Sequence, residues 1–315
     1  MNDNNIKETV LITGGSGLVG TALTQYLLQK NYQVIILTRS AQNKAATAGL
    51  SYAVWDVKKQ QIDIAALQQA DHIVHLAGAG VVDKKWTNAY KKEIEESRTL
   101  SSKLIIDSLR QHTHNVKTLV SASAIGWYGK DERKDAAFTE DDPAADNFLG
   151  KVCRLWEESV APATELGIRV CKLRTGIVLS NEGGALAEFK KPLKFGIAGI
   201  LGSGDQVVSW IHMEDMCRMY LHCIENSAME GSYNAVAPMP VTNETLTIEL
   251  ANKMRGKAYI PVHVPGFVLR IMMGQRSIEI LKSTTVSCKK IQAQQFTFVY
   301  PAIEAALGEL CAKEN

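Results

Sequence analysis

Apolar runs of strand length alternate with segments of helical periodicity along the first 180 or so residues of the chain. This alternation predicts βαβ units and a parallel sheet with helices on both faces. We expect strands at 9–13, 33–38, 51–55, 72–77, 117–122 and 168–173, and helices near 18–30, 63–70, 85–111 and 148–166.

The pattern changes after residue 180, where glycine and proline become frequent. The stretch 207–236 again has the pattern of a strand, a helix and a strand, and we expect it to complete the same sheet. The sequence therefore predicts a doubly wound α/β domain over residues 1–180 and 207–237. We expect residues 181–206 and 238–315 to form a smaller, discontinuous C-terminal lobe that closes over this domain.

Composition limits the classes of function. The 315 residues are 46% hydrophobic and 22% charged, which is typical of a globular chain. The net charge of +2 gives no sign of a nucleic-acid partner, and six cysteines without C-x-x-C spacing predict reduced thiols and no metal site. There is no signal-peptide pattern and no apolar run of membrane-spanning length. We therefore expect a cytoplasmic protein without a membrane partner.

The first apolar run leads into a glycine-rich turn and then a helical pattern. Gly15, Gly17 and Gly20 fit G-x-G-x-x-G in the strand–turn–helix context that dinucleotide binding requires. We expect Gly15 to form the tight turn, Gly17 to let the backbone approach a pyrophosphate, and Gly20 to let the helix lie close to the strand. Free amides at the helix start favour such an anion. The alternative is an ordinary turn, but the context predicts an NAD(P)-binding Rossmann fold.

The end of the second strand bears on the choice between NAD and NADP. NAD-binding folds usually have an acidic residue here for the ribose 2′-hydroxyl, whereas this strand ends in Thr38 and Arg39. A guanidinium can bind a 2′-phosphate, so the sequence favours NADP(H). Alternatively, Arg39 is a solvated charge. Asp56, at the end of the third strand, is placed either to accept from the adenine amine or to cap a helix or a turn. The next strand ends in Leu76-Ala77-Gly78, whose small residues would let the backbone run beside the ribose.

Further short motifs follow the turn in a fixed order. They are Leu76-Ala77-Gly78, Glu93 with Ser97-Arg98, Ser121 to Gly129, Trp156-Glu157, Arg174 to Leu179, Gly202-Ser203-Gly204, Trp210-Ile211-His212 with Asp215, and Phe296-Thr297-Phe298 before Tyr300-Pro301. The ordered set resembles the short-chain dehydrogenase/reductase superfamily in its extended form. It is most similar to the atypical group of NAD(P)-dependent epimerase-like proteins, over nearly the whole chain.

The resemblance implies roles for individual residues. It places the pyrophosphate on Gly14, Gly15, Ser16, Gly17, Leu18 and Val19, and the 2′-phosphate on Thr38 and Arg39. It lines the rest of the cofactor with Leu76, Ala77, Glu93, Arg98 and Val178. Arg98 also makes sense independently, because a cation on a helix that faces the turn could neutralise a phosphate. The alternative is a surface salt bridge between Arg98 and Glu95 or Asp131.

Working members of this superfamily use a Tyr-x-x-x-Lys pair, in which the lysine lowers the pKa of the tyrosine that exchanges the substrate proton. Matching Glu157 to the acid that commonly ends the relevant helix puts Phe148 at the tyrosine position and Val152 at the lysine position. Phenylalanine has no proton to transfer, and valine has no charge that could lower the pKa of a neighbour. The departure puts ordinary hydride-coupled chemistry in doubt.

Other groups could replace the missing pair. Ser123 could orient a substrate oxygen, and Tyr128 in the same strand-end loop is the nearest alternative acid, unless it only packs under the loop. Lys151 is one residue out of register, about 100° around the helix. Glu140 could act as an acid or base, or could cap the following helix.

The C-terminal half adds weaker candidates. His212 could contact substrate, or a backbone carbonyl could fix its ring. The cluster of Lys190, Lys191 and Lys194 could attract an anionic substrate, or could be a solvated helix face. Two glycine pairs could hinge a loop over the substrate: Gly183-Gly184 and Gly202 with Gly204.

Two hypotheses follow. The first is an NADP(H)-dependent epimerase-like or oxidoreductase-like enzyme for an unidentified small molecule, such as a nucleotide sugar, with Ser123 and Tyr128 as catalytic residues. The second is a non-catalytic NADP(H)-sensing or regulatory protein, with a cell-division link suggested only by older family names. The replaced pair favours the second hypothesis, and the large C-terminal lobe favours the first. The helices near 85–111 and 148–166 often form dimers in this superfamily, so an oligomer is possible but is not assumed.

Overall fold

The computed structural model describes residues 7–41, 46–131 and 136–312. The strands are β1 Thr9–Thr13, β2 Gln33–Thr38, β3 Leu50–Asp56, β4 Gln61–Ile62, β5 His72–His75, β6 Thr118–Ala124, β7 Arg169–Thr175, β8 Ile177–Leu179, β9 Ile197–Leu201, β10 Val207–Val208, β11 Trp210–His212, β12 Gly231–Ala235, β13 Val241–Thr242 and β14 Ile260–Val264. The helices are α1 Leu18–Gln29, α2 Ile64–Gln69, α3 Asn88–Gln111, α4 Phe148–Val160, α5 Ala185–Leu193, α6 Met213–Glu225, α7 Asn243–Arg255, α8 Gly266–Met273, α9 Ser277–Leu281, α10 Lys289–Ala293 and α11 Ile303–Ala312.

Eight strands of the described ranges form the main sheet, in the order β12-β7-β6-β5-β1-β2-β3-β4. Neighbouring strands run parallel, apart from the antiparallel pair β3 and β4. Side chains alternate between the two faces of the sheet. Val10 and Ile12 of β1 pack with Leu23 of α1 on one face, whereas Leu11 packs with Ile105 of α3 on the other. The predicted doubly wound α/β fold is therefore confirmed.

Two predicted elements end earlier than expected. The strand expected over 72–77 stops at His75, because the amides of Leu76 and Ala77 turn to the hydroxyl of Thr13, at 3.1 and 3.2 Å. The helix expected over 148–166 stays α-helical only to Val160. Pro162 lies at the start of the 3-10 segment that follows and has no amide to continue the α-helical ladder.

The stretch 207–236 was expected to complete the main sheet, and that prediction was only partly right. Strand β12 joins the sheet beside β7, but β11 pairs with β8 in a separate two-stranded sheet. The chain changes direction at Gly176, where a side chain would lie 2.5 Å from the carbonyl oxygen of Ser209. This close approach lets β8 leave the plane of β7 and meet β11.

The C-terminal region has an apolar core of its own. Leu186, Leu193, Trp210, Leu250 and Leu307 are among its buried members, and they come from α5, β11, α7 and α11. The later segment 286–298 packs instead on the core of the main sheet. The boundaries expected for the two domains stay a prediction.

The structure adds two observations on composition. All six cysteines are buried free thiols. Over the described ranges, no helix combines the length and the apolar character needed to cross a bilayer.

A buried histidine joins the carboxyl ends of β1 and β5. His75 Nδ1 lies 2.8 Å from the hydroxyl of Thr13, and its Nε2 lies 3.1 Å from Ser102 Oγ and 3.2 Å from Ser101 Oγ. Burial lowers the pKa of His75 to about 4. The neutral ring therefore bridges helix α3 to the strand ends that flank the glycine-rich turn.

This histidine predicts a loss of stability in acid. The imidazole of an unfolded chain titrates near pH 6.5 and that of folded His75 near pH 4, so the unfolded chain gains the proton first. The stabilisation from the neutral ring is complete above pH 6.5 and falls by about 3 kcal/mol as the pH drops to 4. We expect His75→Gln to lose less free energy of unfolding over this range in urea titrations. The surface variant His263→Gln is the control, and equal losses in both variants would contradict the assignment.

Candidate functional site

The glycine-rich turn joins β1 to α1 in a conformation that excludes side chains. Gly14 has φ +69°, and its carbonyl accepts from Gly17 N at 3.0 Å. Gly15 lies inside the turn that this hydrogen bond closes, as predicted, and Gly14 takes the left-handed conformation at its start. Gly15 has a different constraint, since a side chain there would lie 2.8 Å from the side chain of Ile36.

The start of α1 is open to an anion. A Cβ atom on Gly20 would overlap the carbonyl oxygen of Gly14 and lie 2.7 Å from Gly15 Cα, so the helix lies directly against the turn. Gly17 is the N-cap residue and provides no side chain to cap the helix. First-turn amides of such a helix lack backbone partners and carry the positive end of its dipole. The residues present therefore fit a pyrophosphate.

The ends of neighbouring strands border this turn. A Cβ atom on Gly14 would lie 2.9 Å from the carbonyl carbon of Leu76, so the turn and the Leu76-Ala77-Gly78 segment touch. Val178 lies in β8 and packs against the core beneath the turn. A side chain on Gly184 would meet Leu18 at 3.1 Å, which brings the start of α5 to the same edge.

The residues expected around the adenosine lie at the ends of β2 and β3. Arg39 is exposed immediately after β2, and the hydroxyl of Thr38 donates to Ser40 O at 3.0 Å. Asp56 caps a turn, since its Oδ1 accepts from the amides of Lys58 and Lys59 at 3.0 and 3.1 Å. The turn-cap alternative for Asp56 therefore describes its observed contacts.

Arg98 is a buried cation beside the end of β5. Its Nη1 donates to Ala79 O at 3.1 Å and to Ile94 O at 2.8 Å, and its guanidinium stacks on the ring of Trp156. Burial lowers its pKa. A Cβ atom on Gly78 would lie 3.0 Å from Arg98 Cζ. The guanidinium of Arg98 thus packs against the Gly78–Ala79 segment, next to the residues expected to run beside the cofactor.

The alternative of a surface salt bridge for Arg98 was wrong. Glu95 pairs with Lys151 at 3.0 Å, and Asp131 accepts from the amide and hydroxyl of Thr285. Glu93 lies on the exposed side of α3, 3.5 Å from Lys84 Nζ.

A buried ion pair ties α4 to the strand ends. Arg174 Nε and Nη2 donate to the two carboxylate oxygens of Glu157 at 2.8 and 3.1 Å. The same carboxylate accepts from the hydroxyls of Ser123 at 2.7 Å and Ser232 at 2.8 Å. Burial raises the pKa of Glu157, but the hydrogen bonds and charge of Arg174, with help from the serines, lower it overall. The hydroxyl proton of Ser123 is therefore engaged in the hydrogen bond to Glu157.

Tyr128 belongs to the same network. Its hydroxyl donates to Asn234 Oδ1 at 2.7 Å and accepts from Arg174 Nη1 at 3.0 Å. The side chain is fully buried, and burial raises its pKa to about 12.

Glu140 Oε1 accepts from the backbone amide of Asn234 at 2.7 Å, and burial raises the pKa of Glu140. The cap of α4 is Asn147, so the helix-cap alternative for Glu140 was wrong.

The side chains of α4 divide between helix α3 and the end of β6. Phe148 packs edge-on against Trp86 at 5.0 Å, and Val152 packs with the α3 side chains. Leu149 and Cys153 face the strand end instead, and the Cys153 thiol lies 3.6 Å from Ala124 O. Lys151 points to Glu95. The assignment of Phe148 and Val152 to the tyrosine and lysine positions stays a prediction.

The remaining candidates are held within the C-terminal region. His212 caps α6 by accepting from Glu214 N at 3.2 Å, and its Nε2 lies 3.2 Å from Glu309, so the fixing group is a backbone amide rather than the expected carbonyl. Lys190 is buried against Asn181, and Lys191 pairs with Glu188 at 2.7 Å. Both glycine pairs have positive φ values, and the hinge role of Gly183-Gly184 and Gly202 with Gly204 stays a prediction.

Sequence reasoning missed the Glu157–Arg174 pair, although both residues belonged to its motifs. The signal was a charge at an apolar position: Arg174 interrupts a buried strand, and Glu157 lies on the apolar face of α4. Within the described ranges, no group of three or more His, Cys, Asp and Glu side chains is placed to hold a metal ion.

The buried pair predicts a large stability effect. Glu157→Ala leaves Arg174 buried without its partner, which costs about 3–5 kcal/mol of the free energy of unfolding. The neighbouring exposed residue gives a matched control, because Glu158 pairs with Arg154 on the same solvent-exposed helix surface. Glu158→Ala should cost less than about 0.5 kcal/mol. Similar losses for both variants in denaturant titrations would show that the pair contributes little.

The contact between α1 and the turn predicts a second effect. Gly20→Ala forces a methyl group into the carbonyl of Gly14 and should lower stability by about 1–3 kcal/mol while weakening dinucleotide binding. The control is Gly308→Ala in α11, where the nearest atom lies 4.0 Å away. That change should raise stability by up to about 1 kcal/mol. Unaltered binding and melting temperature in Gly20→Ala would contradict the close contact.

Comparisons with known proteins agree with this geometry. Residues 10–236 match the NAD dependent epimerase/dehydratase family, and residues 264–310 match a domain of unknown function, DUF1731. An epimerase family protein of Staphylococcus saprophyticus is 34% identical over 303 residues, covering 95% of this chain and 98% of the relative.

Two solved structures extend the comparison. Human epimerase family protein SDR39U1 (isoform 2), solved with NADPH, has a TM-score of 0.84 at 27% identity and covers 96% of this chain and 99% of its own. A nucleoside-diphosphate sugar epimerase from Corynebacterium glutamicum has a TM-score of 0.75 at 34% identity, covering 97% of this chain and 58% of its own. The chain therefore belongs to the NAD dependent epimerase/dehydratase family, as an epimerase-like NAD(P)-binding protein of the short-chain dehydrogenase/reductase superfamily.

Proposed function

We propose that this chain binds NADP(H) at the edge formed by the glycine-rich turn and the ends of β2, β5 and β8. The uncapped start of α1 carries the proposal, because Gly14, Gly17 and Gly20 leave backbone amides where a side chain would otherwise lie. The proposed contacts are Gly14, Gly15, Ser16, Gly17, Leu18, Val19, Thr38, Arg39, Asp56, Leu76, Ala77, Gly78, Glu93, Arg98 and Val178.

The 2′-phosphate is the proposed reason for NADP(H) over NAD(H). The exposed Arg39 follows β2 where an acid would favour NAD. The exposed guanidinium of Arg39 can approach a phosphate without first breaking a buried contact. The human relative solved with NADPH supports the same choice.

We propose a small-molecule substrate, with a nucleotide sugar as the first class to test. The Corynebacterium relative bears the name of a nucleoside-diphosphate sugar epimerase, which supports that class. Bound NADPH would supply a hydride, and the chain would orient the substrate and exclude water. In this proposal Ser123 and Tyr128 act on the substrate oxygen, and the protein works in the cytoplasm.

The non-catalytic alternative also has a specific observation in its favour. The hydroxyls of Ser123 and Tyr128 are both committed to the Glu157–Arg174 network, and both side chains are buried. The α4 side chains that face the strand end are those of Leu149 and Cys153, which are poor proton donors at neutral pH because burial raises the pKa of Cys153 to about 12. A protein that only senses NADP(H) needs no proton donor there.

Cofactor choice is tested by titrating NADPH and NADH against the protein fluorescence. Arg39→Ala removes a charge-assisted hydrogen bond to the 2′-phosphate and should weaken NADPH binding about ten- to a hundredfold, with little change for NADH. The matched control is Lys59→Ala, an exposed cation after the neighbouring strand. Equal weakening of both nucleotides, or no binding by the unmodified protein, would overturn the NADP(H) assignment.

Turnover separates the two functions. NADPH consumption and sugar interconversion are followed with a panel of nucleotide sugars, using the unmodified protein, Ser123→Ala and Tyr128→Phe. Catalytic roles predict that both variants keep NADPH affinity and lose about a hundredfold or more in kcat. Turnover that survives Tyr128→Phe would remove that residue from the chemistry. Tight NADPH binding with no turnover on any sugar would support the sensing function.

A further inference from the structure

Two segments of the C-terminal region contain no acidic residue. Residues 189–204 and 250–278 include eight lysines and arginines and no aspartate or glutamate, whereas the whole chain has a net charge of only +2. Such a concentration of one charge sign needs an explanation beyond solubility.

The structure joins the two segments into one surface. Strand β9 pairs in parallel with β14, and Ile197 lies beside Ile260. Arg255 Nε donates to Leu193 O at 2.9 Å and so links the ends of the two segments. Ala198 and Ile200 of β9 point into the lobe core, so the alternate residues point outward. The outward positions Ile197, Ile260 and Val262 are apolar and exposed.

Helix α8 continues this surface directly after β14. Phe267 and Ile271 lie one turn apart and are both exposed, Ile271 to 77%. Leu269, on the opposite side, is buried. We define the cationic–apolar surface by its exposed side chains: Lys194, Phe195, Ile197, Arg255, Lys257, Ile260, Val262, Phe267, Arg270, Ile271 and Met272.

The charges of this surface are not neutralised by the protein itself. Within the described ranges, Lys194, Lys257 and Arg270 make no salt bridge, whereas nearby Lys191 pairs with Glu188. Their charges face solvent beside exposed apolar side chains such as Phe195, which is 84% exposed. Cations flanking protruding aromatic and aliphatic side chains are the combination that binds the interface of an anionic bilayer.

We propose that the cationic–apolar surface docks this protein peripherally on a lipid surface with anionic headgroups. The apolar side chains of β14 and α8 enter the interfacial region, and Lys194, Lys257 and Arg270 lie at the headgroups. A second copy of this chain is a poor occupant, because a symmetric contact would bring the same unpaired cations together. Phe195, Phe267 and Ile271 are largely exposed, which is unlike the enclosed lining of a small-molecule site. The sequence expectation of no membrane partner rested on the absence of a spanning segment, and a surface contact needs none.

The test is flotation of the full chain with vesicles of phosphatidylcholine alone and of phosphatidylcholine mixed with phosphatidylglycerol. We expect flotation only with the anionic vesicles, and its loss at high salt. Lys257→Gln with Arg270→Gln should lower partitioning about fivefold for each charge removed. Phe267→Ser with Ile271→Ser should reduce it to about a tenth or less.

Matched controls lie on the surface of α3. Leu100→Ser removes an exposed apolar side chain and Lys103→Gln removes an exposed cation, and both should float like the unmodified protein. Thermal unfolding midpoints show that each variant is folded. Neither flotation nor unfolding requires bound nucleotide, so the test is independent of the proposed NADP(H) binding. Absence of flotation with anionic vesicles, or equal flotation with neutral ones, would overturn the proposal. A concentration-dependent dimer that Phe267→Ser with Ile271→Ser abolishes, without flotation, would assign the surface to a second copy instead.

Discussion

The Glu157–Arg174 ion pair ties helix α4 to the carboxyl ends of β6 and β7 and to the start of β12. Its carboxylate receives Ser123 from β6 and Ser232 from β12, while its guanidinium reaches Tyr128 in the loop after β6. Each of these groups would be costly to bury alone, and together they satisfy one another. The orientation of the Ser123, Ser232 and Tyr128 hydroxyls therefore depends on this pair.

The same pair bears on the choice between the two proposed functions, because it engages the hydroxyls of Ser123 and Tyr128. A serine whose proton is held by Glu157 can still accept a hydrogen bond, but it does not donate one while that bond lasts. Tyr128 receives a hydrogen bond from a cation, which would favour its ionised form, yet burial outweighs this and raises its pKa to about 12. The residues of the proposed cofactor edge lie together, whereas the hydroxyls of Ser123 and Tyr128 are engaged in the Glu157–Arg174 network. Binding and turnover therefore have to be measured separately.

The cofactor edge is built almost entirely from backbone. Gly14 and Gly20 bring α1 against the turn, and Thr13, held by His75, receives the amides that end β5. Arg98 lies behind this edge and donates to the carbonyl oxygens of Ala79 and Ile94. The cationic–apolar surface includes none of the residues proposed to contact the cofactor, so lipid binding and nucleotide binding can be tested with separate variants.

The sequence by itself determined the elements and the class of ligand. Apolar periodicity and glycine spacing are local properties, and they correctly predicted the parallel sheet, the turn before α1 and an NAD(P)-type site. It did not determine that Gly14 takes the left-handed conformation at the turn, or that Leu149 and Cys153 face the end of β6. Only the tertiary structure decided that Glu157 meets Arg174, and that segments about 60 residues apart share one surface. Such contacts join positions distant in the chain, and their energies depend on burial and orientation, which no local pattern records.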